Sequence, residues 1–265
     1  HQGEGLTATL VTQLRQDAFQ AGYSHLFLYT KPKNEAMFSS LFFYPVAQTN
    51  DVLLMENKKD GIQTFLNTLP AGSHSGIIGA AVMNCNPFTN GHKYLIETAA
   101  TQCDHVYIFV LSEDKSHFSA RDRLTMVQLG TAHLSNVTVL PTGPYLISSA
   151  TFPTYFLADR ESAETAHCLL DIEIFCKYFV PRLGITRRYV GTEPLSPITA
   201  QYNEALCKHL PGNGIELRQI PRLEQEKTPV SASAVRACLE QGDMEALRTL
   251  VPETTFNYLQ EHCLR

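Results

Sequence analysis

The stretch Met83-Asn84-Cys85-Asn86-Pro87-Phe88-Thr89-Asn90-Gly91-His92 gathers the residue types best suited to chemistry in this chain. An apolar run before it, Gly76 to Val82, reads as a buried strand, and Lys93 to Thr101 after it reads as a helix. Thr89, the backbone N–H groups around Gly91, and His92 then fall at a strand's carboxyl end and a helix's N-terminus, where anions are favoured. Gly91 has no Cβ, so the backbone can approach a phosphate closely there. An imidazole in that place can donate to an α-phosphate oxygen as charge builds in the transition state. Substitution at the α-phosphate of a nucleoside triphosphate is the chemistry expected of His92 and Thr89. A Pro-Phe turn before a helix that merely begins with a histidine is the plainer alternative.

Three other stretches belong beside this one. Val230-Ser231-Ala232-Ser233-Ala234-Val235-Arg236 is a small-hydroxyl run opening a helix. Ser231 and Ser233 can cap that helix, and the same N-terminus with Arg236 nearby would also bind the β- and γ-phosphates of ATP. Phe118-Ser119-Ala120-Arg121-Asp122-Arg123 starts another helix, where Arg123 or Arg121 can reach a phosphate or carboxylate or remain solvated surface. Gly191-Thr192-Glu193-Pro194 follows a strand and should lie on the same edge of the sheet. Glu193 there can hold magnesium, orient a hydroxyl, or simply be a turn residue.

The elements that must position these residues change character along the chain. Leu6 to Ala21 has helical spacing at Leu10, Leu14 and Ala18; His25–Thr30 and Val52–Glu56 read as strands, with short helices at Asn34–Ser40 and Gly61–Leu69. Pro70 to Gly76 is small, polar and breaker-rich and reads as a linker. Strands then alternate with helices: strands at Ile77–Met83, His105–Leu111, Val137–Leu140, Arg188–Gly191 and Ile215–Ile220, and helices at Gly91–Gln102, Arg121–His133, Glu161–Leu183 and Ala200–Leu210. Three helices close the chain, Ser233–Glu240, Met244–Leu250 and Thr254–Cys263. That alternation predicts an α/β fold with a parallel sheet covered on both faces. Neither G-x-G-x-x-G after a strand nor G-x-x-x-x-G-K-[ST] occurs, which disfavours dinucleotide redox chemistry and the P-loop.

A formal net charge of -5 argues against non-specific nucleic-acid binding. No apolar run reaches the length of a membrane span. The 7 cysteines are scattered and never spaced C-x-x-C, a pattern that fits reduced thiols in a cytoplasmic protein and gives no metal site by direct ligand motif. His167, Cys168 and Cys176 are the nearest approach to a cluster and read as core packing on an apolar helix.

Thr89-Asn90-Gly91-His92 near the start of the α/β region and Ser231-Ala232-Ser233 near its end resemble the nucleotidyltransferase superfamily of phosphopantetheine adenylyltransferase. Asn84 to His92, Ala150-Thr151-Phe152-Pro153-Thr154-Tyr155-Phe156, Gly191 to Pro194, Thr199-Ala200-Gln201-Tyr202-Asn203, and Ile220-Pro221-Arg222 with Val230 to Arg236 resemble the citrate lyase ligases over essentially the whole chain. The resemblance implies a Rossmann-like nucleotidyltransferase domain at residues 73–265, preceded over 1–72 by the second half of a GNAT-like acetyltransferase domain with the linker. It implies activation of acetate by ATP with magnesium, then acetylation of the thiol on the CoA-like prosthetic group of the citrate lyase acyl-carrier subunit, releasing AMP and pyrophosphate.

Under that resemblance His92 and Thr89 are catalytic, and Asn84, Asn86, Pro87, Phe88, Gly91, Gly191, Glu193, Ser231, Ser233 and Arg236 bind ATP. Arg123, Thr151 and Tyr155 are the candidates for a phosphate or acetate contact, with magnesium arriving on the phosphates. The chain departs from the family pattern twice. Strands expected before His1 are absent, which predicts a fragment or a truncated gene product, and Phe42 stands where the pattern has glycine. Two competing expectations share the ATP motifs: an adenylyltransferase for a phosphate monoester, and a non-catalytic nucleotide-binding remnant.

Overall fold

Ile78–Met83 (β4) and His105–Val110 (β5) are apolar at nearly every position because both of their faces are covered. The computed structural model describes residues 5–114, 116–147, 160–193, 197–225 and 228–262. With Val137–Pro141 (β6), Arg187–Gly191 (β7) and Glu216–Ile220 (β8), these strands form a parallel sheet of order β6-β5-β4-β7-β8. The chain runs outward from β4 through β5 to β6, then returns to the other side of β4 for β7 and β8. The order therefore reverses between β4 and β7, where α/β sheets of this kind bind their ligands.

Alternation along the strands feeds two cores. On one face Ala81, Met83, Val106 and Ile108 meet Asn90–Gln102 (α4), Ala120–Thr131 (α5), and the terminal helices Ala232–Gln241 (α9), Met244–Leu250 (α10) and Glu253–His262 (α11). On the other, Ala80, Tyr107 and Phe109 meet the long helix Arg160–Ile174 (α6), its π-helical continuation Phe175–Phe179, the short Val180–Leu183 (α7), and Pro197–His209 (α8). The π-helical turn carries Phe175 and Phe179 inward together, their ring centroids 6.5 Å apart.

Residues 27–56 make a separate antiparallel sheet, Phe27–Thr30 (β1), Leu53–Glu56 (β3) and Tyr44–Gln48 (β2) in that order, with Gly61–Thr68 (α3) after it. Leu54 joins the core of the α6 face, whereas Leu53 and Met55 point the other way, under Val11 of Leu6–Gln20 (α1) and Phe38 of Glu35–Ser39 (α2). Buried Glu56 ties the small sheet to the large one, accepting from the Tyr145 hydroxyl at 2.7 Å and the Ile62 N–H at 2.9 Å and contacting His25 at 2.6 Å. Tyr178 donates to the carbonyl of Val46, at the bulge of β2.

The elements form close to where periodicity places them, with two differences. Strand β2 is absent from the sequence reading because Pro45 and the bulge interrupt its alternation. Helix α1 presents Leu6, Leu10 and Leu14 outward, so its expected apolar stripe does not face the core. Phe42 has φ of 61°, the left-handed region that a glycine occupies without cost.

Candidate active site

After β4 the chain turns through residues 84–88, with Cys85 at φ 51° and a cis Asn86–Pro87 peptide, and enters α4 at Thr89. This loop is held from behind by Arg123, which is fully buried. Its Nη1 donates to the Asn84 carbonyl at 3.0 Å and to Asn84 Oδ1 at 2.7 Å, its Nε to Phe118 O at 3.1 Å, and its Nη2 to Glu113 O at 2.5 Å. Asn86 Oδ1 accepts from the Phe118 N–H at 3.0 Å. Phe88 is fully buried against Gly130, where an added Cβ would come within 2.3 Å of the ring. Burying such a ring stabilises by about 2 kcal/mol. Asn86, Pro87, Phe88 and Arg123, expected to touch ATP or acetate, thus stand outside the cavity and shape the loop that bounds it.

Thr89 and His92 form a reciprocal cap at the start of α4. The His92 N–H donates to Thr89 Oγ1 at 3.3 Å, while His92 Nδ1 accepts from the Thr89 N–H at 3.1 Å and lies 2.9 Å from its hydroxyl. A ring whose Nδ1 accepts carries its proton on Nε2 when neutral. Burial, and secondarily the nearby Arg222 cation, push the His92 pKa down to about 4, so the ring is neutral at physiological pH. His92 is therefore a fixed, uncharged N–H donor.

A cavity of about 600 Å³ opens where the sheet order reverses. Asn84, Thr89, Gly91 and His92 line it from the β4–α4 side, Gly191 and Glu193 from the end of β7, and Ser231 and Ser233 from the start of α9. Gly91 brings the two motifs together: a Cβ there would sit 3.3 Å from the Val230 carbonyl. Ser231 caps α9, its Oγ accepting from the Ala234 N–H at 3.1 Å. Arg236 donates to the Asn86 carbonyl at 2.6 Å and to Ser233 Oγ at 3.1 Å, strapping α9 to the first loop without lining the cavity. Thr151 and Tyr155 lie outside the described residues.

Glu193 pairs with Arg222, which also donates from Nε to Thr192 O at 2.8 Å. The carboxylate thus orients an arginine, and its availability as a magnesium ligand is correspondingly reduced. No group of three or more His, Cys, Asp or Glu side chains among the described residues is arranged to hold a metal. Sequence reasoning gave no role to two cations that line the cavity, Arg222, noted only within a family motif, and Arg188. Arg222 follows a strand end, which is a usable signal, but Arg188 lies within β7 and reads there as an outward-facing charge.

The parallel sheet, its reversal point and the two helix N-termini converging on one cleft define a Rossmann-like nucleotidyltransferase fold. The family model described as "Citrate lyase ligase C-terminal domain" matches residues 78–259. The citrate (pro-3S)-lyase ligase of Klebsiella pneumoniae is 43% identical over 98% of this chain and 78% of its own length. Its counterpart from Escherichia coli (strain K12) is 42% identical over 97% of this chain and 75% of its own. The chain belongs to the citrate lyase ligase family. A solved structure, Thermotoga maritima TmcAL bound with alpha-thio ATP, superposes with a TM-score of 0.48 at 13% identity, over 70% of this chain and 55% of that one.

Proposed function

We propose that the chain is an ATP-dependent ligase that activates acetate as acetyl-AMP and passes the acetyl group to the thiol of the prosthetic group on the citrate lyase acyl-carrier subunit. Membership of the family supports the ligase and its target. The observation that carries the adenylation step is the neutral His92, its Nδ1 fixed by Thr89, in the wall of the cavity that Ser231 and Ser233 close.

A carboxylate oxygen attacks the α-phosphorus, the bond to the β-phosphate oxygen breaks, and pyrophosphate leaves. The chain supplies alignment and charge stabilisation for this displacement. His92 Nε2–H donates to the α-phosphate as negative charge accumulates on it. Thr89, Ser231 and the first N–H groups of α4 and α9 take the remaining phosphate oxygens. Magnesium enters as part of the nucleotide substrate. Acetyl-AMP is a mixed anhydride, so the carrier thiolate can attack its carbonyl carbon and expel AMP. On this reading residues 73–265 adenylate, and residues 1–72 are the acetyltransferase-like half that receives the CoA-like group in the cytoplasm.

The test is acetate-dependent exchange of labelled pyrophosphate into ATP with magnesium and no carrier. Exchange that requires acetate is the expected result. Exchange that requires a phosphate monoester instead would place the protein among simple adenylyltransferases, and silence with both would contradict catalysis.

A further inference from the structure

Arg188 is only 2% exposed, yet it lines the cavity. It is the second residue of β7, in register with Ala80 of β4 and Leu217 of β8. Its Nε has no hydrogen-bond partner, and none of its nitrogens makes a hydrogen bond or ion pair among the described residues. The contact it does make is with the ring of Phe175, whose centroid lies 4.5 Å from its guanidinium carbon. A buried cation with donors unmatched carries a desolvation penalty that a ring face offsets only in part.

Asp171, a carboxylate that feels the Arg188 charge, is 1% exposed, and both of its oxygens have other partners. Oδ1 accepts from the Ile147 N–H at 2.8 Å, and Oδ2 accepts from the Tyr202 hydroxyl. Burial raises the Asp171 pKa, while the hydrogen bonds from Tyr202 and Ile147 and the Arg188 cation act in the opposite direction. Asp171 instead fixes the surround, since Ile147 and Tyr202 line the cavity with Cys168. The result, among the described residues, is an unmatched planar cation in a cavity wall shared with the tied Tyr202, Ile147 and Cys168. Phosphates are provided for elsewhere, at the starts of α4 and α9. A guanidinium fork suits a carboxylate.

We infer that Arg188 receives the carboxylate of the small acid that the cavity activates, so that acid and nucleotide enter from opposite sides of the sheet's reversal point. The assignment rests on the acetate-activating reading for its ligand. Arg188 is a binding residue that holds the acid for attack, and Asp171 and Tyr202 are positioning residues that keep the pocket in shape around it.

The experiment is direct binding of acetate to the full chain, read by saturation-transfer NMR, with Arg188→Met and Arg188→Lys as variants and ATP affinity measured alongside. Acetate should bind the wild type and acetamide, its uncharged counterpart, should not compete. Arg188→Met should weaken acetate binding about thirtyfold or more while ATP affinity changes less than about threefold, and Arg188→Lys should recover part of the loss. Undiminished acetate binding in Arg188→Met, or ATP affinity falling in step with it, would overturn the assignment. So would acetamide competing as well as acetate in the wild type, a result independent of whether any variant folds. Acetate bound through Arg188 without pyrophosphate exchange would keep this inference and remove the adenylation reading; exchange with unaltered acetate KM in Arg188→Met would do the reverse.

Discussion

Two guanidiniums lie equally deep in this molecule and do opposite things. Arg123, behind the first loop, is fully buried and makes four hydrogen bonds to Asn84, Phe118 and Glu113. Arg188, beneath the cavity, is 2% exposed and makes none among the described residues. The difference teaches that burial of a charge does not by itself mark a site. A cation whose donors are matched by its own fold builds structure, and one left unmatched beside a cavity waits for a ligand.

The sharpest way to break this contrast is to remove both charges. Arg123→Met strands the carbonyls that arginine satisfies, and should cost about 3–5 kcal/mol in urea unfolding. Arg188→Met removes an unmatched buried charge, and its stability should be unchanged or higher by about 1 kcal/mol or more. Equal losses in the two variants would erase the distinction.

The next largest effect concerns the cap at α4. His92→Ala should slow pyrophosphate exchange about a hundredfold, the loss expected for one transition-state donor, and an unchanged rate would take His92 out of the chemistry. Its ionisation gives a second check. With a folded pKa of about 4 against an ordinary value of 6.5, the native state resists protonation, so His92 contributes stability above pH 6.5 that is lost as pH falls toward 4. Urea midpoints of the wild type relative to His92→Gln should narrow over that window, while exchange shows no His92 titration between pH 8 and 6.

Smaller effects sharpen the account at its edges. Ser231→Ala removes the α9 cap and should cost about 1 kcal/mol, read by thermal unfolding. Phe42→Gly relieves a left-handed residue and should stabilise by about 0.5 kcal/mol, after the entropy that glycine loses on folding.

Much of the fold was readable from the chain because β4 and β5 are apolar on both faces and no surface strand looks like that. The β4–loop–α4 unit followed from the same run and from the helical stretch Lys93 to Thr101 after it, whereas the Thr89 cap did not. The family resemblance placed Phe88 at the nucleotide, but a ring beside a motif is also what anchors a loop, and Phe88 packs on Gly130. Arg123 and Arg188 could not be told apart in sequence, since each is an arginine in a regular element. What distinguishes them are partners 5 to 39 residues away for the first and their absence, among the described residues, for the second. The Glu193–Arg222 pair was hidden for the same reason, its members lying 29 residues apart.

The most direct test of the central claim follows oxygen through one turnover. With acetate labelled in both oxygens, ATP, magnesium and the deacetylated carrier, attack at the α-phosphorus leaves one labelled oxygen on the phosphate of AMP after the thiol takes the acetyl group. One labelled oxygen per AMP is the predicted result. AMP free of label, formed at the same rate, would contradict acetyl-AMP as the intermediate and with it the alignment of acid and nucleotide across this cavity.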